Sequence, residues 1–330
     1  MTAVVADPPV IAVRNLTLHF QTGSFLSAYR SPPVRAVEDV SLTLRRGETL
    51  SIVGESGCGK TTLGRMIMRL LRPTAGTVEL NGRDITALKG KHLRALRQDI
   101  QMIFQDPFSS LNPRMTVGDT IAEPLVIKGV REPQLSARVS EMLGMVGLSE
   151  AHKARFPHAL SGGQRQRVGI ARALILEPEV VVCDEAVSAL DVSVQAQILN
   201  LMQDLQQILG LTYLFISHDL AVVRHISDRV GVMYLGRLVE IADKEQLFSS
   251  PAHPYSRALM AAVPVSHPSL RRPVTPLEGN VPSPRNPPPG CAFHTRCPLA
   301  RSMGNPAQCH TAVPALRDIG PAQQAACHFA

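Results

Sequence analysis

No stretch of this sequence approaches the roughly 20 consecutive apolar residues that a membrane-spanning helix needs. Its first ten residues, MTAVVADPPV, lack the basic start and apolar run of a secretory signal. A cytosolic chain is therefore the expectation, and in a reducing compartment clustered thiols point first to metal or redox chemistry rather than to disulfides. There is no internal repeat at solenoid or propeller periods. Nor is there a block of one charge sign: the formal net charge is +7, but the basic residues are scattered. Charge alone therefore selects no partner among nucleic acid, anionic membrane and phosphate ligands. What is present is 330 residues, 45% of them hydrophobic, enough to bury a substantial core in one large domain with something smaller attached.

In the first third, VIAVRNLTLHF, AVEDVSLTL and TVELNG show the period of two of half-buried strands, and Asn81-Gly82 suits a tight turn. ETLSIVG reads as a buried strand entering a glycine-rich turn, and KTTLGRMIMRLL as a helix closed by Pro73. From about residue 108 to 158 helix-like segments alternate with Pro113, Pro124, Pro133 and Pro157, which suggests an inserted helical subdomain. Strands return in VVVCDE and TYLFISHD, separated by the amphipathic VSVQAQILNLMQDLQQILG, which Gly210 stops. That alternation predicts a parallel α/β core. After residue 250 more than half of all the prolines appear, so this segment should be loop-rich and in need of another source of rigidity.

GESGCGKTT comprises Gly54, Glu55, Ser56, Gly57, Cys58, Gly59, Lys60, Thr61 and Thr62 and matches the phosphate-binding pattern G-x-x-x-x-G-K-[ST]. Glycines let successive backbone N–H groups turn onto phosphates, Lys60 reaches the β and γ oxygens, and the Thr61 hydroxyl suits Mg²⁺. A metal ligand inside that loop would obstruct phosphate, so Cys58 reads as a small side chain without special chemistry. VVVCDE ends an apolar strand in two carboxylates, Asp184 for the Mg²⁺ shell and Glu185 as general base, with Cys183 facing the core. In LSGGQRQR, Ser161 reads as an N-cap with Gln164 three residues on. Its hydroxyl and the N–H groups of Gly162 and Gly163 then project from a helix start, a second anion site.

The phosphate loop, LSGGQRQR, DEAVSALD and ISHD, in that order over nearly the whole chain, resemble the ATP-binding subunit of an ABC transporter. The resemblance implies an α/β P-loop NTPase core of the ABC ATPase type over 1–250, with an N-terminal antiparallel β subdomain and the helical insert at about 108–158. A loop-rich, cysteine-containing C-terminal extension follows over 251–330. It implies two subunits that sandwich two ATP molecules head to tail, the signature residues Ser161, Gly162, Gly163 and Gln164 meeting the γ-phosphate of the opposite subunit. It further implies Phe20 stacked on adenine, Gln105 sensing Mg²⁺ and the membrane partner, Asp191 acting across the dimer and His218 on the γ-phosphate. One departure is Ala186, where many relatives have proline. With both carboxylates intact, hydrolysis should survive with a softer turn toward Asp191.

GETLSIVGESGCGKTTLGR, QMIFQDPFSSLNPRMTVGDTIAEPL, DVSVQAQILNLM and HPYSRALMAAVP followed by GCAFHTRCP narrow the likeness. They are similar to the second of the two non-identical ATPases of oligopeptide and dipeptide importers. That branch implies pairing with a related ATPase, two membrane permeases, a separate extracytoplasmic binding protein, and a peripheral place on the cytoplasmic face of the inner membrane. Nickel and glutathione importers have similar ATPases. A soluble ABC ATPase acting on nucleic acid or ribosomes is the competing reading. The long coiled coil of the repair relatives and the paired ATPase units of the translation relatives are both missing, and no nucleic-acid partner is expected.

Four of the six cysteines, Cys291, Cys297, Cys309 and Cys327, fall in the last forty residues with the spacing C-x5-C-x11-C-x17-C. Neither the short zinc-finger spacing nor the ferredoxin spacing is present, so the residues alone give a four-thiolate site for Zn²⁺ or an iron–sulfur cluster. Resemblance to the importer branch favours a [4Fe-4S] cluster over Zn²⁺. His294, His310 and His328 beside them read as hydrogen-bonding neighbours rather than ligands. A structural staple for the proline-rich segment is the default role.

Overall fold

The computed structural model describes residues 8–21, 32–106, 110–262 and 277–330. The expected start of the helical insert near residue 108 and part of the proline-rich run lie outside the described residues. The chain divides into two compact units, one built from Leu44–Thr49 and Ala87–Ser217 and the other from Pro9–Thr43, Leu50–Thr86 and His218–Ala330. No helix among the described residues is long and apolar enough to cross a membrane.

The alternating N-terminal segments form strands β1 (Ile11–Phe20), β2 (Val34–Leu44), β4 (Ala75–Leu80) and β5 (Arg83–Asp84), a four-stranded sheet in the order β2-β1-β4-β5. β1 and β4 run antiparallel with Ile11 opposite Leu80 and Val13 opposite Val78, two pairs that bury their side chains. Asn81 and Gly82 both take positive φ, 49° and 75°, the geometry a two-residue hairpin requires. Between β2 and β4 lie the buried strand β3 (Thr49–Val53) and helix α1 (Lys60–Ile67). α1 stops well before Pro73. Arg69 adopts a left-handed conformation, φ 57°, and its buried guanidinium donates to the Ile85 carbonyl at 3.0 Å, which ends the helix from outside it.

In the unit containing Ala87–Ser217, helix α2 (Gly90–Asp99) leads into β6 (Ile100–Ile103). Helices α3 (Val117–Lys128), α4 (Gln134–Met145) and α5 (Gly162–Leu174) follow, then β7 (Val180–Asp184), α6 (Val192–Leu209) and β8 (Thr212–Ile216). β7 pairs in parallel with β6 and β8, and its unbroken run Val180, Val181, Val182, Cys183 is fully buried, as a strand covered on both faces must be. Gly210 caps α6 in the left-handed conformation, as expected. Pro124 breaks nothing: α3 runs through it. The missing N–H costs one helix bond, which burial of Val117, Thr120, Ile121 and Leu125 and a full Thr116–Asp119 capping box offset.

From His218 the chain returns to the unit of Pro9–Thr43 and Leu50–Thr86 with α7 (Leu220–Ile226), the hairpin β9 (Arg229–Tyr234) and β10 (Arg237–Asp243), α8 (Lys244–Ser249) and α9 (Pro254–Ala261). α10 (Pro298–Ser302), α11 (Ala307–Thr311), β11 (Arg317–Gly320) and β12 (Gln323–Ala325) complete it. β9 pairs in parallel with β3, while β10, β12 and β11 continue antiparallel beyond it. The extension is thus less irregular than its prolines suggest, since β12 joins an existing sheet through Glu240–Ala325 and Ala242–Gln323 pairs.

A buried carboxylate ties it down. Glu240, fully buried, accepts from the backbone N–H groups of Ala252 and His253 and from the Gln323 amide at 2.8–2.9 Å. Three donors satisfy a charge that would otherwise be costly to bury. His253 in turn accepts the Tyr255 N–H at 3.1 Å, capping α9. Burial, with the Arg257 charge nearby, pushes its imidazole down to about 3.

The unfolded chain takes up this proton near pH 6.5 and the native chain does not. Stability is therefore lost as pH falls from about 6.5 toward 3, by at most about 1.4 kcal/mol per pH unit, and the contribution is flat above that window. His253→Asn keeps a cap acceptor without the titration. The difference in Tm between wild type and this variant should shrink between pH 7 and pH 5, followed by thermal unfolding; a constant difference would remove His253 from the acid response.

Candidate functional site

The phosphate-type loop follows β3, where strand geometry ends at Gly54 with φ 151° and α1 begins after Gly59 with φ 107°. A Cβ on Gly54 would lie 2.2 Å from the Met233 carbonyl oxygen, and one on Gly59 would lie 2.1 Å from that of Ala36. Only glycine fits either place. Lys60 is 5% exposed and its ammonium donates to the carbonyls of Gly54 at 2.8 Å and Glu55 at 3.1 Å, with Cys58 Sγ 3.8 Å away. The loop is thereby curled around its own lysine. No side chain caps α1, and no acidic residue occupies its first turn, so the helix presents a positive end to an anion.

Ser56 and Gly57 are exposed, while Thr61 and Thr62 are half-buried in the first turn. Cys58 is buried, which raises its thiol pKa and keeps it protonated, and its sulfur packs inside the loop against Lys60. Glu55 is held from outside: its N–H donates to the Tyr255 hydroxyl at 2.9 Å and its carboxylate receives Arg296. Phe20, at the end of β1, is an aromatic ring 38% exposed. His218 is exposed beside Asp219, whose carboxylate caps α7 through Ala221 and Val222.

The carboxylates lie in the other unit. Asp184 ends β7 almost fully buried. Glu185 follows in the left-handed region, φ 50°, with its N–H on the Ile216 carbonyl at 2.9 Å and its own carbonyl accepting the Ser188 hydroxyl at 3.0 Å. Such backbone in a non-glycine residue is uncommon and clusters at functional sites. Gln105, just beyond β6, donates from its amide to Glu185 Oε2 at 2.8 Å, so these two expected site residues meet directly. Cys183 is core, its thiol pushed up by burial.

Ser161 and Gln164 form the expected capping box, with Gln164 N–H to Ser161 Oγ at 3.3 Å and Ser161 N–H to Gln164 Oε1 at 3.0 Å. Gly163 lies against Val194, whose Cγ1 would be 2.6 Å from an added Cβ. The arginines of the motif are turned inward. Arg165 donates to the Pro157 and His158 carbonyls and Arg167 to that of Val146. Both guanidinium groups are thereby committed to backbone carbonyls. Asp191 is the exposed N-cap of α6, and its side chain makes no cap bond.

In the extension, Cys291, Cys297, Cys309 and Cys327 all line one small cavity of about 10 Å³ together with His253, His294 and His328 and apolar neighbours such as Phe293 and Leu299. Burial raises the thiols, Cys291 to about 11 and Cys297 and Cys309 in the same direction, so as free groups they stay protonated. His294 Nδ1 lies 2.8 Å from the Cys291 carbonyl and His328 Nε2 2.9 Å from that of Ala312. Among the described residues no group of three or more His, Cys, Asp or Glu side chains is placed to hold a metal ion. Sequence reading missed Tyr255 and Arg296 as neighbours of the loop; each lies in a quoted motif, but nothing local to HPYSRALM or FHTRCP points to Glu55.

Residues 37–188 match the ABC transporter family, and residues 239–303 match the C-terminal region of oligopeptide/dipeptide transporters. A probable peptide ABC transporter ATP-binding protein of Sinorhizobium fredii is 53% identical over 320 residues, 97% of this chain and 89% of that one. An oligopeptide transport ATP-binding protein of Bacillus subtilis is 49% identical over 97% of both chains. Among solved structures, cbiO1 of Clostridium perfringens, part of the cbiONQ ABC transporter complex, superimposes with TM-score 0.65 at 28% identity, covering 74% of this chain and 92% of its own. A dimeric ATP-binding cassette in a post-hydrolysis state with ADP and phosphate gives TM-score 0.63 at 30% identity, covering 71% of this chain and 98% of its own.

Two loop glycines make a contrast. Gly57 has φ 77° but open space around an added Cβ, so Gly57→Ala should cost about 1 kcal/mol of backbone strain. Gly59→Ala adds a collision with a backbone oxygen and should lower Tm several degrees further, read by calorimetry without nucleotide. Equal shifts would show that the close approach of Ala36 does not constrain the loop.

Proposed function

The chain belongs to the ABC transporter family, among the peptide and oligopeptide ATP-binding proteins, and from that premise we propose that it is the ATP-hydrolysing motor of a dipeptide or oligopeptide importer. The observation that carries the reading is the curled, glycine-bound loop around buried Lys60 in a chain similar to such subunits over almost its full length. Substrate phosphates are received by the loop N–H groups and Lys60. Thr61, Asp184 and Gln105 would hold Mg²⁺, which when bound neutralises charge on the β and γ oxygens. Glu185 takes the proton of the attacking water and His218 supports the γ-phosphate. Phe20 offers its exposed ring to adenine. Ser161, Gly162, Gly163, Gln164 and Asp191 serve the nucleotide held by the opposite subunit, which the exposure of Ser161 and Asp191 supports.

The opposite subunit is a related ATPase, and the pair drives two permeases from the cytoplasmic face of the inner membrane, with a separate binding protein selecting the substrate. Nickel or glutathione transport is the alternative cargo; the names of the relatives favour peptides. For the extension the donor set, four thiols on one cavity, suits a [4Fe-4S] cluster. Four thiols equally suit a single Zn²⁺, and it is the likeness to the importer branch that favours the cluster. Such a group would supply rigidity.

Glu185→Gln should retain ATP binding and reduce turnover by about 100-fold or more in the assembled transporter; normal turnover would remove Glu185 as the base. Metal and acid-labile sulfide analysis of anaerobically purified protein should find iron and sulfide in equal amounts, whereas zinc without sulfide would replace the cluster.

A further inference from the structure

Glu55 is fixed at all three of its polar groups. Its N–H donates to the Tyr255 hydroxyl at 2.9 Å, its carbonyl accepts the Lys60 ammonium at 3.1 Å, and its carboxylate takes both terminal nitrogens of Arg296 at 2.9 and 3.1 Å. Two of the three partners belong to the C-terminal extension. Tyr255 is fully buried, packed on Tyr234 and Phe293 with ring centroids 4.8 and 5.3 Å away, so its hydroxyl has one direction to point. Arg296 is only 8% exposed along its side chain, lies over the Tyr234 ring at 6.0 Å, and is anchored by its own N–H on the Phe293 carbonyl at 3.0 Å.

A carboxylate on a loop that receives polyphosphate is electrostatically adverse. A bidentate guanidinium neutralises it and turns it aside, and a buried one holds that geometry without screening by solvent. We infer that Arg296 and Tyr255 are positioning residues of the phosphate loop, so that the C-terminal extension sets nucleotide affinity. This rests on the ATP-binding reading above. Arg296 stands in the short segment between Cys291 and Cys297, so the order of that segment reaches the loop through one ion pair.

The test is the affinity of the full chain for Mg²⁺·ATP, measured by calorimetric titration. Arg296→Gln should weaken binding about tenfold, as for a loop that keeps its competent form about a tenth of the time. Tyr255→Phe should weaken it by a smaller factor, and Arg296→Lys should fall between wild type and Arg296→Gln. Adding Glu55→Gln to Arg296→Gln should recover affinity, because it removes the unpaired carboxylate; general damage to the extension would not be repaired that way. Arg301→Gln, which breaks an ion pair with Glu278 and a hydrogen bond to the Thr295 carbonyl from the neighbouring helix α10 without touching Glu55, should bind as wild type. Wild-type affinity in both Arg296→Gln and Tyr255→Phe, absence of recovery in the double variant, or equal loss in Arg301→Gln would overturn the inference. Should Arg296→Gln not fold, Tyr255→Phe decides alone, and unchanged affinity overturns it. A wild-type chain that binds no Mg²⁺·ATP would instead sink the proposed function itself.

Discussion

A lysine ammonium almost wholly removed from water is the constraint around which this protein is arranged. Lys60 can sit at 5% exposure only if oxygen atoms surround it, and the nearest are carbonyls of its own loop. To turn them inward the chain must pass through positive φ at Gly54 and Gly59, and at both the backbone is pressed against another carbonyl, that of Met233 or Ala36. Strands β9 and β2 therefore shape the loop as much as its own residues do. The same curl exposes Ser56 and Gly57 and leaves α1 without a side-chain cap, the arrangement that a phosphate chain fills.

The helix start at Ser161 is built differently. Ser161 and Gln164 close a capping box, but the arginines that follow are committed to the carbonyls of Pro157, His158 and Val146. A sequence rich in Gln and Arg beside a helix start suggests guanidinium groups aimed at phosphate. Here they brace the helix so that its N-terminus, a weak but rigid positive end, stays presented.

Among its described residues the extension has only short helices and two strands added to an existing sheet, and a few concentrated contacts hold it. Buried Glu240 gathers Ala252, His253 and Gln323; Tyr234, Tyr255 and Phe293 share one aromatic cluster; and four thiols line one cavity. These contacts also aim Tyr255 and Arg296 at Glu55. Tyr255, Phe293, Cys297, Ala300 and Cys309 also share one buried apolar cluster with Val53, Val230 and Val232, so the extension is packed onto the core of its unit.

The α/β alternation, the hairpin at Asn81-Gly82, the capping box at Ser161 and the stop at Gly210 were all legible in the sequence, because each follows from local periodicity or from the backbone preference of one or two residues. So was the order of the ATPase motifs, since phosphate binding demands particular residues at particular spacing. The early end of α1 at Ile67 and the unbroken passage through Pro124 were not, because the left-handed turn at Arg69, held by the Ile85 carbonyl, and a buried helix face override the local signals of Pro73 and Pro124. Nor was the meeting of Gln105 with Glu185, 80 residues apart, or that of Arg296 with Glu55, 241 residues apart. Sequence by itself determined which chemistry this chain carries; only the tertiary structure decided which side chains hold that chemistry in place, since an ion pair depends on where two backbones are brought and not on what either spells.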